Sequence, residues 1–308
     1  MVYESVVIGA GPAGLSAALY LARFRRTVLV VHDGGSRALS IPKSHNVPGF
    51  DLGISGADLV RQMTSHAQQY GAHVAEAEIT HAARSEGGFR LTQADGAAID
   101  CRTLILATGL LTDHLQLDPD VLAQAIAAGT LRYCPICDGY EHSGQRIAVM
   151  GDAPKAAGEA LFLRTYSSDV TVISTGNDRP GHALAEALKA RGVGLIHGPL
   201  HAILPTESGI SVQIGGVAAP LVFDVLYPAE VTRPRTALAA CLGLAGDTDG
   251  MMPASAILGT DVPGVFAAGD IVEGLDQISV AMGHGAIAAT RAHNWLREQD
   301  GQALPPVG

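Results

Sequence analysis

Near the start of the chain, the apolar run Ser5-Val-Val-Ile-Gly-Ala gives way to closely spaced glycines. The segment LSAALYLARF then repeats its apolar positions at helical spacing, and TVLVV returns to an unbroken apolar run. Short continuous runs read as buried strands and the periodic segment as a packed helix, so residues 5–31 are expected to open a βαβ unit. Residues 146–174 repeat the plan as strand RIAVM, turn GDAPKA, helix AGEALFLRTY and strand DVTVIS. Two such beginnings make an internal repeat of supersecondary kind. Between them LILATGLL reads as a buried strand ending in a small-residue turn, and Asp113–Pro119 as a crossing. The proline-bearing VLYPAEVTRPRT reads as the return crossing. Beyond it, DVPGVFAAGD is a strand closing on Gly-Asp, and ISVAMGHGAIAATRAHNWL a helix of small residues. The pattern predicts an α/β fold of two Rossmann-like domains of the nucleotide-binding kind, the second inserted into the first: residues 1–114 and 236–308 form one, residues 115–235 the other.

Composition narrows the partners. The 308 residues, 47% of them hydrophobic, supply enough apolar material for two cores. A formal net charge of −10 repels polyanions, so nucleic acid is not an expected partner. The apolar N-terminal run is broken by Gly-Pro and lacks the basic start of a secretory signal, and no run reaches the ~20 apolar residues of a membrane helix. A cytoplasmic protein without a membrane association is expected. In that compartment thiols stay reduced, and a close cysteine pair implies chemistry. Of Cys101, Cys134, Cys137 and Cys241 only the middle two are near neighbours. Cys101 and Cys241, in apolar contexts, are expected to be packed thiols.

Gly9, Gly11 and Gly14 in Gly-Ala-Gly-Pro-Ala-Gly follow a strand and open a helix, the context in which such glycines let a backbone approach a dinucleotide pyrophosphate. The ribose-binding acid should follow the second strand, where Asp33 is the choice and His32 fits the spacing equally. Cys134-Pro-Ile-Cys137 at a helix start allows two sulfurs to bond and the helix N-terminus to favour a thiolate. Zinc needs about four ligands; no second cysteine pair exists, and no metal is expected.

The segments GAGPAG, SHNVPGF with GISGADL, LILATG, YCPICDGY, and GVFAAGD with DQISVAMGHGAIAA follow one another along the chain. Together they make it resemble low-molecular-weight thioredoxin reductase over nearly its whole length. The resemblance implies an FAD-dependent disulfide oxidoreductase with FAD on the first domain. It implies a redox-active Cys134–Cys137 disulfide on the inserted domain, NADPH there as reductant, a rotation of that domain, and a homodimer. By the same resemblance Gly9, Gly11, Pro12, Ala13 and Gly14 form the FAD pyrophosphate loop, and Asn46 lies near the flavin. Thr108 and Gly109 make the Ala-Thr-Gly turn, Gly269 and Asp270 meet the ribityl and phosphate region, and Gln277 and Ile278 line the flavin pyrimidine. Cys137 would face the flavin, Cys134 would exchange with substrate, and Asp138 would act as the acid for the departing thiol. A helix starting near Ser279 would aim its partial positive end at the reduced flavin.

The second glycine loop departs from the family. Residues 151–156 read Gly-Asp-Ala-Pro-Lys-Ala, where Ala153 replaces a glycine, Asp152 adds negative charge and Pro154 removes a donor. The basic run expected after the next strand is replaced by Ser174-Thr-Gly-Asn-Asp178, with Arg179 late and Lys155 a partial substitute. Normal NADPH binding is therefore not expected. Electrons would then arrive from ferredoxin, a reduced flavin or another donor and leave to a thioredoxin-like or other disulfide. Alternatively they would run from a small dithiol through FAD to O2, or the protein would serve as a flavin-bound redox sensor. His284 is expected to be a surface or dimer-contact histidine rather than a base for a thiol or a stabiliser of reduced flavin, His45 and His142 carry no assigned role, and Trp295 reads as a packing anchor.

Overall fold

The computed structural model describes residues 2–113, 115, 117–176, 179–229, 231–253 and 258–302. Its contacts divide the chain into two units. The first comprises residues 1–43, 47–111 and 232–308, the second residues 44–46 and 112–231.

The first unit is built on a seven-stranded sheet. The strands His73–Glu76, Val28–His32, Val2–Ile8 and Ala98–Leu106 run parallel in that spatial order. Ala98–Leu106 divides its partners along its length. Its first residues pair antiparallel with Gly88–Gln93, which pairs in turn with Ile79–Ser85, whereas Leu104–Leu106 pair parallel with Val265–Ala267. Because Val2–Ile8 is flanked by strands reached in opposite directions, the sheet has its topological switch point there, and a crevice opens at the carboxyl ends of the strands.

Two helices cover this core. Pro12–Arg23 buries Ala13, Gly14, Leu15, Ala17, Ala18 and Leu21. Ile278–Gln299 buries Ala281, Gly285, Ala288, Ala289, Ala292 and Leu296, so the small-residue helix of the sequence is a contact face. A Cβ on Gly285 would lie 2.2 Å from the Ala13 carbonyl oxygen, which measures how closely the two helices approach. Trp295 packs against the same core. This last helix begins at Ile278, one residue before the position expected, with Gln277 as its N-cap.

The second unit holds four parallel strands in the order Val193–His197, Val170–Ser174, Ile147–Gly151, Val225–Ala229. A three-stranded antiparallel sheet, Leu200–Thr206, Gly209–Ile214 and Leu221–Phe223, packs beside it. The expected return crossing is thereby corrected at its first half: Val225–Ala229 is a fully buried strand, and only Val231–Pro234 leaves the unit. Pro228 is accommodated because its strand ends the parallel sheet, where a missing N–H breaks no continuous ladder. Leu110–Asp113 and Val231–Pro234, by which the chain passes between the units, pair as a two-stranded ribbon. His114 and Gln116 of the first crossing and Glu230 of the second lie outside the described residues.

Candidate functional site

In the first unit the expected cofactor residues converge on the carboxyl ends of neighbouring strands. Gly9 follows Val2–Ile8, Asp33 follows Val28–His32, Thr108 and Gly109 follow Ala98–Leu106, and Gly269 and Asp270 follow Val265–Ala267. Gly9 has φ 113°, and a Cβ on it would lie 2.2 Å from the Ala107 carbonyl oxygen; one on Gly14 would lie 1.9 Å from the carbonyl oxygen of Gly9. Only glycine fits either position. Gly11 is the N-cap of the Pro12–Arg23 helix, whose first turn holds no acid. The turn therefore offers backbone N–H groups to an anion without competing negative charge. Tight glycine turn, uncapped helix start and switch-point crevice together fit the pyrophosphate of FAD.

The acids around that crevice are individually committed. Asp33 is ionised below its ordinary range: against the cost of partial burial, it accepts from Arg235 and, through Oδ1, from the Gly35 N–H at 3.1 Å. His32 accepts the Gly34 N–H on Nδ1 at 3.1 Å. Arg235 also ties the end of the return crossing to the Ala-Thr-Gly turn, its N–H donating to the Gly109 carbonyl at 2.9 Å and its carbonyl accepting from Thr108 Oγ1 at 2.7 Å. Asp270 is pushed up to about 6 by burial, with Arg37 pulling down and Asp276 pushing up. Arg37 pairs with Asp270 at 3.2 Å and Asp276 at 3.8 Å. Neither Arg37 nor Arg235 was singled out in the sequence, where each is one charge in a loop. Asn46 accepts from Ser44 Oγ at 2.9 Å, and His45 is exposed. His284 is half-buried, and among the described residues its Nδ1 has no hydrogen-bond partner; burial lowers its pKa, against a hydrogen bond with the Gly269 backbone.

In the second unit Cys134 and Cys137 form a disulfide with Cα atoms 5.2 Å apart. Pro135–Asp138 is a single helical turn capped by Cys134, with Cys137 and Asp138 both donating their N–H to the Cys134 carbonyl. The helix expected at this motif is one turn long, so its dipole adds little to sulfur reactivity. The chain reaches the turn by a strand-like step: Arg132 N–H donates to the Leu226 carbonyl at 3.0 Å, and Leu226 N–H to that of Thr130 at 2.9 Å. That pairing sets the cysteine turn beside the edge strand and its Tyr227.

Around Asp138 a polar group is assembled inside this unit. Tyr227, fully buried, donates its O–H to Asp138 Oδ1 at 2.7 Å. Arg132 Nε stands 3.6 Å from Oδ2, and the His142 ring meets Tyr227 edge-on with centroids 6.0 Å apart. His142 itself is tied through Nδ1 to Gln145 Oε1 at 2.7 Å. Burial pushes the Asp138 carboxyl above its ordinary range, while Tyr227, Arg132 and His142 pull against it. A carboxyl whose proton affinity is raised in this way is suited to carry and release a proton. Tyr227 escaped the sequence reading because a tyrosine in an apolar strand looks like core.

Of the other cysteines, Cys101 is buried and its thiol pushed up to about 12. Cys241 corrects the expectation: it is exposed, at the end of the five-residue helix Ala237–Cys241, too short to bury its last position. Among the described residues no cluster of three or more His, Cys, Asp or Glu could hold a metal, and no helix is long and apolar enough to cross a membrane.

The nicotinamide-type turn of the second unit differs from the first. The helix Ala153–Leu163 has Asp152 as N-cap, buried Ala153 as its first residue and Pro154 within its first two. At the end of Val170–Ser174 the strand closes on buried Ser174, followed by Thr175 and Gly176. Asn177 and Asp178 lie outside the described residues, and Arg179 beyond them is exposed.

The family model described as pyridine nucleotide-disulphide oxidoreductase matches residues 3–285. The bifunctional thioredoxin reductase/thioredoxin of Mycobacterium leprae is 30% identical over 314 residues, covering 97% of this chain and 67% of that protein. Among solved structures, HlmI superposes with a TM-score of 0.88 at 28% identity, covering 97% of this chain and 94% of that one. The thioredoxin reductase of Streptococcus pyogenes does so with a TM-score of 0.87 at 26% identity, covering 96% and 99%. With its FAD-type glycine turn and its cysteine pair, the chain belongs to the pyridine nucleotide-disulphide oxidoreductase family, as an FAD-dependent oxidoreductase of the low-molecular-weight thioredoxin-reductase-like kind.

Proposed function

We propose that the protein passes electron pairs between FAD and the Cys134–Cys137 disulfide, and between that disulfide and a thioredoxin-like protein or a small dithiol or disulfide, without taking them from NADPH at the 151–156 turn. The observation that carries this reading is the start of the Ala153–Leu163 helix, where a carboxylate and a buried methyl occupy positions that would cradle phosphates. Negative charge at the N-cap opposes a pyrophosphate, and the Ala153 side chain fills the space of backbone approach that Gly11 leaves open in the first turn.

The cysteines do the exchange. A substrate thiolate attacks one sulfur, the Cys134–Cys137 bond breaks as a mixed disulfide forms, and the released sulfur takes the electron pair. Asp138 gives that sulfur its proton. A second thiolate then resolves the mixed disulfide, leaving substrate oxidised and the pair reduced by two electrons and two protons. Bound FAD supplies a two-electron acceptor or donor for the pair. Run the other way, the reduced pair reduces a substrate disulfide, with ferredoxin or a reduced flavin as the ultimate donor.

The same obstructed turn favours a second reading, in which the net reaction is oxidation of a dithiol by O2 to a disulfide and hydrogen peroxide, since that direction needs no nicotinamide. Anaerobic addition of NADPH, NADH, dithiothreitol and reduced ferredoxin in separate cuvettes tests both. Bleaching of the flavin by dithiol or ferredoxin and not by NADPH supports the proposal, and rapid return of colour in air after dithiol supports the oxidase. Bleaching by NADPH within one turnover overturns it.

A further inference from the structure

We propose that Tyr227 is a positioning residue for Asp138: its buried O–H occupies Oδ1 of the carboxyl and leaves Oδ2 as the oxygen that exchanges a proton with the cysteine sulfurs. This rests on the acid role proposed above for Asp138. The geometry is specific. Tyr227 lies fully buried on Val225–Ala229, in register with Val149, among the apolar residues facing the Ala153–Leu163 helix. A phenol O–H in such a wall is unfavourable unless bonded, and its bond at 2.7 Å goes to Asp138. Arg132, at 3.6 Å from Oδ2, is an ion-pair neighbour and too far to be a hydrogen-bond donor, so Oδ2 keeps its proton-carrying capacity.

The charged and titratable groups facing Asp138 are Tyr227 from the edge strand, Arg132 from the approach to the cysteine turn, and Glu141 and His142 just after it. Among these Tyr227 alone donates a hydrogen bond to the carboxyl. A donor to the carboxylate favours its ionised form. With Tyr227 in place the acid therefore gives up its proton at lower pH than burial alone would allow, which permits it to act in both directions of thiol–disulfide exchange.

The initial rate of anaerobic flavin bleaching by dithiothreitol, in the range where it is proportional to dithiol, reads attack on the disulfide. Dividing the wild-type rate by that of Asp138→Asn at each pH isolates the contribution of the acid. In Tyr227→Phe the falling limb of this ratio is expected to move up by about one pH unit, because the carboxyl holds its proton longer. In protein carrying 3,5-difluorotyrosine at position 227, a stronger donor, the limb is expected to move down. A purely structural role would not reverse sign between the two. An unshifted limb in either protein, with Asp138→Asn still slow, overturns the role of Tyr227. A wild-type rate and profile in Asp138→Asn overturns instead the acid role on which it rests. Should Tyr227→Phe fail to fold or to retain flavin, the difluorotyrosine protein decides the question alone.

Discussion

Asp138 and Asp270 show how differently two half-hidden carboxyls behave. Asp138 accepts from the fully buried Tyr227; Asp270 accepts from the partly exposed Arg37 at 3.2 Å. Since burial raises the Asp270 pKa from 3.8 to about 6, the folded apoprotein holds its proton more tightly than the unfolded chain does. The stability this group contributes is thus fully present below 3.8 and lost as the pH rises through about 6. At neutral pH its ionised form costs the apoprotein roughly 2–3 kcal/mol. Asp270→Asn is expected to raise the apoprotein melting temperature at neutral pH, with the gain disappearing in acid; superimposable melting curves at neutral pH would contradict this. Asp138→Asn is expected to slow thiol–disulfide exchange about 10²-fold to 10⁴-fold near neutral pH, and Cys134→Ser or Cys137→Ser to reduce it to background with flavin content intact. Stopped-flow bleaching by dithiol measures both. The Cys134–Cys137 pair was legible in the sequence because its spacing brings the two sulfurs together, whereas Asp138 was named as an acid through the family resemblance. Tyr227 was not legible, since 89 positions separate it from Asp138 and only strand pairing closes that distance.

Among the elements, the Pro12–Arg23 and Ile278–Gln299 helices were readable from their small residues, but their mutual contact was not. Gly285 sits where a Cβ would meet the Ala13 carbonyl oxygen and, at 2.8 Å, the Ser16 Cβ. Gly285→Ala is therefore expected to destabilise the first unit by roughly 1–3 kcal/mol through overpacking and to loosen flavin, measured by urea melts and by flavin released on dilution. Retained stability would mean that the helices slide apart without cost. The Val225–Ala229 strand was misread as a crossing on the strength of its proline. A proline demotes a strand only where both edges must donate, and here it lies at the end of the parallel order.

At the scale of the molecule, the insertion leaves the first unit through Leu110–Asp113 and returns through Val231–Pro234, two strands that pair. Because paired strands lie about 5 Å apart, residues 1–111 joined to 232–308 by a short Gly-Ser linker are expected to fold, bind FAD and show no thiol–disulfide exchange. A colourless, aggregated product would show that the first unit needs the second to fold. The sequence by itself determined the two βαβ beginnings, the glycine turn for FAD, the departure of residues 151–156 from a second glycine loop and the cysteine pair, because each depends on residues within a few positions of one another. Tertiary structure alone decided which strand Tyr227 occupies, that Arg235 reaches Asp33 and that Arg37 reaches Asp270. Those contacts join residues far apart in the chain, and no local propensity records a pairing made only when the sheets assemble.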